Sequence, residues 1–230
     1  MDNKKNELEI EGLLDFIHTE LLNVKSLYRD YKLLYSKKTQ VEFINYVAPH
    51  FFGTYQMLLV DSIILKICCL TDNKQTGNFQ NASIAKLIDL ISLEDKLDGK
   101  KLNIKNLNSL FKELNLSVEK IKKYRKKNLA HFDYEQIKKP LDLKIQQIDI
   151  EVSLKILLKI ITLVYLQYFS RCISKSSIPA RGGVESLIKY LKNGHKFSEG
   201  IFKELISNRI NDVLFNKYSK PKFEIYKKFT

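Results

Sequence analysis

The spacing of apolar residues constrains the fold most, because they recur every three or four positions over long stretches of the chain. The first stretch, about Leu8 to Tyr35, holds Leu13, Leu14, Ile17, Leu21, Val24, Leu27, Tyr28, Tyr31 and Leu34. This period places them on one face of an α-helix. Only eight glycines and four prolines interrupt the 230 residues. The sequence therefore predicts an all-α bundle of long antiparallel helices.

A second long helix is predicted from Thr39 to Leu70. Thr39, with Glu42 three positions later, has the pattern of a capping box at a helix start. Pro49 lacks a backbone N–H and clashes with the preceding turn, so the helix is expected to kink or break near Val47.

The second half of this helix, Tyr55 to Leu70, is apolar on nearly every side, which predicts a central position in the bundle. Asp61 and Lys66 interrupt it, so no membrane span is predicted. A buried carboxylate needs a partner. Asp61 is therefore expected to pair with a buried Lys or Tyr, or to face the same cleft as Arg125.

Two more long helices follow. One runs from about Asn106 into the segment 124–133, with a possible interruption at Asn115–Ser117. Asp149 then caps a helix from Ile150 to about Cys172, which is apolar on two sides and must lie sandwiched between others.

The segment Ser174 to Gly183, with its proline and paired glycines, is the best candidate boundary. It divides a helical bundle over residues 1–175 from a C-terminal helical extension over residues 176–230. The elements predicted for the extension are helices Val184–Leu191 and Phe197–Phe215, a loop at His195, and a basic tail, Lys217–Lys228.

The charge of the chain points to a polyanionic partner. The net charge is +13 and the pI is about 9.4, which favours RNA, DNA or an acidic protein surface. Lysine greatly exceeds arginine, so codon bias in an AT-rich genome is an alternative source of the charge. The basic residues nevertheless cluster, and the cluster consists of Lys120, Lys122, Lys123, Arg125, Lys126 and Lys127.

Several function classes have no sequence support. Three cysteines, two of them adjacent at Cys68 and Cys69, form neither a disulfide framework nor a zinc-ligand pattern, which favours buried free thiols in the cytoplasm. There is no Walker loop, dinucleotide glycine fingerprint or His-Glu-x-x-His motif. We expect no metal and no cofactor. The polar N-terminus shows no signal peptide.

The segment Tyr124-Arg-Lys-Lys-Asn-Leu-Ala-His-Phe-Asp133 is the candidate site. At about 100° per residue, Arg125, Asn128 and His131 step round an α-helix by about 60° each and share a face. A guanidinium suits phosphate oxygens, and an imidazole can move protons near neutral pH. Alternatively, His131 only complements the negative end of the helix dipole.

With these helices in place, the sequence resembles the HEPN superfamily of helical bundles, and within it the AbiU-type group linked to abortive phage infection. The likeness covers most of residues 35–195. It rests on residues 59–72 with 82–87, on residues 124–133, and more weakly on residues 184–191.

The resemblance implies a metal-independent endoribonuclease with the family signature Arg-x(4 to 6)-His on Arg125 and His131. It implies that His131 acts as general base or acid and that Arg125 holds the scissile phosphate. Asn128 and Asp133 are the supporting candidates. Lys122, Lys123, Lys126 and Lys127 are the expected RNA-binding residues.

The expected partners are RNA, either tRNA or mRNA, a second copy of the chain, and an antitoxin or other defence-system protein. No membrane partner is expected. Many active members carry a small polar residue directly after the arginine, where this chain has Lys126. The alternative is therefore a catalytically inactive HEPN module that binds RNA or a partner protein.

Overall fold

The computed structural model describes residues 2–98, 104–129, 145–173 and 182–206. In these ranges the protein is almost entirely helical, as the sequence predicts. The elements are α1 (Asp2–Tyr35), α2 (Lys38–Val47), α3 (Pro49–Thr71), β1 (Gln75–Thr76), β2 (Phe79–Gln80), α4 (Ile84–Asp98), α5 (Ile104–Tyr124), a π-helical turn (Arg125–Leu129), α6 (Gln147–Phe169) and α7 (Val184–Ile206).

The core forms around α1, which contacts α2, α3, α4 and α6. Its fully buried residues are Ile10, Leu14, Ile17, Leu21, Val24 and Leu34, and all but Ile10 belong to the predicted set. Each such side chain contributes about 1.5–3 kcal/mol by leaving water. The predicted first helix is thus confirmed, although it begins six residues earlier than Leu8.

The expected break at Pro49 is confirmed. Helix α2 ends at Val47, and α3 begins with Pro49 in its first turn, where a missing N–H costs no hydrogen bond. The expected cap at Thr39 is wrong. Lys37 occupies the N-cap of α2 in an extended conformation, and no side chain caps it, so Thr39 lies inside the first turn.

Helix α3 is only partly central. One side packs against α1 and α5, but Phe51, Met57, Leu58 and Leu65 are exposed. Among the described helices, α3 alone has the length and apolar composition of a membrane span, with a third of that window buried. Core helices pass the same test, and Lys66 of α3 forms an ion pair with Glu20 of α1 at 2.5 Å.

A small antiparallel hairpin, β1–β2, joins α3 to α4. Gly77 has φ +57° in the connection, a conformation that glycine adopts without strain. The side chain of Asn81 donates to the Asn73 carbonyl at 2.7 Å and to the Thr76 hydroxyl at 2.8 Å. The first bond joins the chain before the hairpin, at Asn73, to the chain after it, at Asn81. The second ties Asn81 to the first strand.

Helices α5 and α6 pack against each other, and α6 also contacts α1, as expected for a sandwiched helix. The suggested interruption at Asn115–Ser117 is wrong. The Ser117 hydroxyl bonds to the Leu114 carbonyl at 2.8 Å and lies 3.2 Å from the Ser153 hydroxyl. A polar side chain satisfied in this way does not compete with the helix backbone.

Helix α6 starts at Gln147, three residues earlier than predicted. Gln146 is the N-cap, and Asp149 closes a capping box by accepting from the Gln146 backbone N–H at 2.9 Å. Asp149 therefore stabilises the start of the helix from within its first turn. The helix ends at Phe169, because Ser170 has φ +53° and its backbone turns away.

The chain divides into two compact units, residues 1–179 and 180–230. In the second unit, α7 runs without a break from Val184 to Ile206. The predicted pair of shorter helices with a loop at His195 is wrong, because the helix continues through Gly194. His195 lies on it and pairs with Glu199 at 3.4 Å. The predicted basic tail, residues 217–228, lies outside the described residues.

Candidate functional site

Arg125 stands where α5 changes its helical form. The α-helix ends at Tyr124, and Arg125–Leu129 form a π-helical turn with wider i→i+5 hydrogen bonding. Leu129, at the end of this turn, still packs against the core. Short π-helical segments occur frequently at functional sites. The turn therefore marks the predicted segment as a place of special backbone geometry.

An ion pair fixes the Arg125 side chain. Its Nη1 donates to Oδ2 of Asp72 at 2.8 Å, and the two side chains are 27% and 24% exposed. This hydrogen bond to Asp72 raises the pKa of Arg125, so the guanidinium stays charged. Asp72 therefore holds one edge of the guanidinium, and the other N–H groups of Arg125 do not bond to Asp72.

Asp72 was not predicted to take part in the site. It follows the last residue of α3 in an extended conformation, which directs the chain away from the helix axis. The contact joins residues 53 positions apart. Only its place in the segment 59–72, which carries the family resemblance, could have drawn attention to it.

Lys122 closes the same end of α3. Its Nζ donates to the Thr71 carbonyl at 2.5 Å, one of the carbonyls that a helix leaves without a partner. A cation here also complements the negative end of the helix dipole. Burial lowers the pKa of Lys122. This lysine thus has a structural contact, whereas Lys123 and Lys126 are exposed and Lys127 is half-buried.

The predicted site residues fall on both sides of the limit of the described residues. Asn128 is half-buried in the π-helical turn. The α-helical step of about 100° does not apply between Arg125 and Asn128, because the π-helical turn is wider. His131 and Asp133 lie outside the described residues, so their placement beside Arg125 stays a prediction.

Asp61 lies on α3 among apolar neighbours. Within the described residues Asp61 has no hydrogen bond or ion pair, so the direct pairing with a lysine or tyrosine is not found there. The alternative, that Asp61 faces the same cleft as Arg125, stays a prediction. Burial raises the pKa of Asp61. The pKa of the Tyr124 hydroxyl is raised mainly by its own burial and further by the nearby charge of Asp61.

The replacement Asp61→Asn is expected to stabilise the protein at neutral pH. Because burial raises the pKa of Asp61 in the folded state, the ionised carboxylate opposes folding once the pH exceeds that value. The gain is present above the folded-state pKa and vanishes as the pH falls toward the ordinary value of 3.8. Thermal unfolding followed by circular dichroism across this range measures it.

Glu113→Gln, at an exposed position of α5, is the matched control and should show no pH-dependent difference. An Asp61→Asn protein that melts at or below the wild-type temperature at neutral pH would show that the carboxylate is stabilising instead.

The cysteines differ in part from expectation. Cys68 is buried beside Arg125, and burial raises the pKa of its thiol to about 11, so it stays neutral. Cys69 and Cys172 are exposed free thiols, although burial was predicted for all three. Within the described ranges, no group of three His, Cys, Asp or Glu residues could hold a metal ion.

The fold and this segment define a class, namely an all-α bundle with an Arg-x5-His sequence beginning where one long helix ends. A family model of the HEPN type, described as AbiU2, matches residues 7–177. This is well over half of the chain, and the protein belongs to that family. The matched region contains Asp72, Arg125 and His131. No curated protein and no solved structure matches the chain.

Proposed function

We propose that this protein is a metal-independent endoribonuclease that acts in abortive phage infection or in a toxin–antitoxin system. The observation that carries the proposal is the guanidinium of Arg125, held at 2.8 Å by Asp72 within the matched HEPN region. It stands at the end of a lysine-rich helix, where a phosphate backbone gains several favourable contacts.

The reaction is attack of a ribose 2′-hydroxyl on the adjacent phosphate. The 2′-oxygen loses its proton and bonds to phosphorus, the bond from phosphorus to the 5′-oxygen breaks, and that oxygen takes a proton. Arg125 binds the phosphate and offsets its growing negative charge. His131 moves the protons. Asn128 and Asp133 are assigned supporting contacts to the substrate and to the imidazole.

A catalytically inactive module is the second candidate, and Lys126 favours it. This exposed lysine follows Arg125 directly, where many active relatives carry a small polar residue. In this case the same basic surface retains RNA, or a partner protein such as an antitoxin, without cleavage.

Purified protein incubated with total RNA, with and without EDTA, tests the proposal. Cleavage that persists in EDTA supports the nuclease. Retention of RNA without cleavage supports the inactive module. Neither binding nor cleavage would contradict both and leave a helical scaffold whose charge reflects codon bias.

A second copy of the chain is the proposed partner for the uncovered side of α3. Phe51, Leu58 and Leu65 are exposed and lie seven residues apart, so they form one stripe along the helix. Leu65 is two turns before Asp72, the partner of Arg125. An interface on this stripe would place the two copies of the site at the border of the interface. It would also remove the stripe from water in the cytoplasm.

Leu58→Glu is therefore expected to convert a dimer into a monomer, because it places a charge in the middle of the apolar stripe. Sedimentation velocity at micromolar concentration measures the change. Leu116→Glu is the matched control, since Leu116 is 74% exposed on α5 and lies outside the stripe. A wild-type monomer, or a Leu58→Glu dimer, would contradict the proposed interface.

A further inference from the structure

The β1–β2 hairpin presents an aromatic ring to solvent. Phe79 is 79% exposed, more than any other large apolar residue in the described ranges. Within those ranges its ring has no aromatic neighbour. An exposed phenyl ring offers a flat apolar face to any ligand with a matching face.

The hairpin holds this ring on a fixed backbone. Phe79 pairs with Thr76, whose hydroxyl accepts from the Asn81 side chain at 2.8 Å. Lys74, just before β1, forms an ion pair with Asp89 of α4 at 2.9 Å. Because these contacts already order the segment, a ligand that meets Phe79 loses little free energy to ordering.

The ring also lies within reach of Arg125. Asp72, the partner of Arg125, is four residues before Thr76. Four residues span at most about 14 Å, and paired strands lie about 5 Å apart. The Phe79 backbone is therefore within roughly 20 Å of Asp72, a distance that a few nucleotides of single-stranded RNA can cover.

The surroundings of Phe79 favour a nucleic acid base over a protein side chain. Thr76 pairs with it on the same face of the hairpin, Asn78 precedes it in the turn, and both are exposed. A hydroxyl and an amide can both donate to and accept from the edges of a base. No other large apolar residue of the hairpin is exposed. The chain carries a net charge of +13, which favours association with a polyanion such as RNA.

We propose that Phe79 stacks on an unpaired base of an RNA strand whose backbone is bound at Arg125. The hairpin then selects single-stranded over paired RNA, because a paired base cannot present its face to the ring. This inference rests on the proposed function and adds to it a preference for unpaired RNA.

Fluorescence anisotropy with a labelled single-stranded 2′-O-methyl oligoribonucleotide tests the proposal, because this RNA lacks the 2′-hydroxyl and is bound without cleavage. Phe79→Ala is expected to bind roughly 5- to 150-fold more weakly, the range that stacking of one base supplies. Phe79→Trp should restore affinity. The dependence of affinity on salt should not change, since no phosphate contact is lost.

Tyr46→Ala is the matched control, because Tyr46 is 74% exposed on α2, which precedes the opposite end of α3, and it should bind as the wild type does. Unchanged affinity in Phe79→Ala would overturn the stacking contact even if wild-type protein binds RNA. A loss that Phe79→Trp does not restore, or a changed salt dependence, would also overturn it. Wild-type protein that neither binds nor cleaves RNA would contradict the proposed function itself.

Discussion

Replacing His131 with alanine is expected to lower the rate of RNA cleavage by about 10²- to 10⁴-fold, the usual contribution of a positioned general acid or base. The affinity for RNA should change little, because the exposed Lys123 and Lys126 remain to bind phosphates. Single-turnover cleavage of a labelled RNA measures the rate, and anisotropy measures the affinity. A loss in rate without a loss in binding separates catalysis from retention.

His195→Ala is the control for this experiment. His195 lies in the second unit, on α7, where it pairs with Glu199 at 3.4 Å. Its removal should leave the cleavage rate unchanged. If His131→Ala cleaves as fast as the wild type, the imidazole takes no part in the reaction. The alternative given above, in which His131 only complements the helix dipole, would then be preferred.

The parts of the fold that follow from local pattern could be predicted from the sequence. Helix α1 was found because its buried residues recur at steps of three and four from Ile10 to Tyr28. The break before α3 was found because Pro49 cannot continue the helix that precedes it. In both cases the physical cause lies within one turn of the residues concerned.

Two predicted breaks are absent, because the local signals behind them do not stop a helix. In α5, the Ser117 hydroxyl bonds to the Leu114 carbonyl and lies 3.2 Å from the Ser153 hydroxyl of α6, so it does not compete with the helix backbone. Helix α7 continues through Gly194, where glycine costs about 1 kcal/mol relative to alanine. Such a cost lowers the helix propensity but does not end a helix as a proline does.

The candidate site shows the same division. Its position at the end of α5 followed from the periodicity and from the cluster of basic residues. The π-helical turn did not, because it changes only the spacing of the backbone hydrogen bonds. The Arg125–Asp72 and Lys122–Thr71 contacts could not be predicted either, since both require α3 and α5 to be packed together.

The second large effect is expected at Asp72. Asp72→Ala should reduce cleavage by about 10²-fold, because it frees the guanidinium of Arg125 to move, and a displacement of about 1 Å can cost that much. Both side chains are about a quarter exposed, so water screens the pair, and the loss of stability should be only about 1 kcal/mol. Single-turnover rates and urea unfolding measure the two effects separately.

Asp72→Asn refines the test, since it keeps an oxygen that accepts from Arg125 but removes the charge; its rate should lie between those of Asp72→Ala and the wild type. Glu151→Ala is the matched control, because it removes an ion pair of 2.9 Å with Lys32 that does not involve Arg125. That variant should cleave at the wild-type rate. Faster cleavage by Asp72→Ala would mean that the carboxylate competes with the phosphate for Arg125, and that Asp72 restrains the site instead of positioning it.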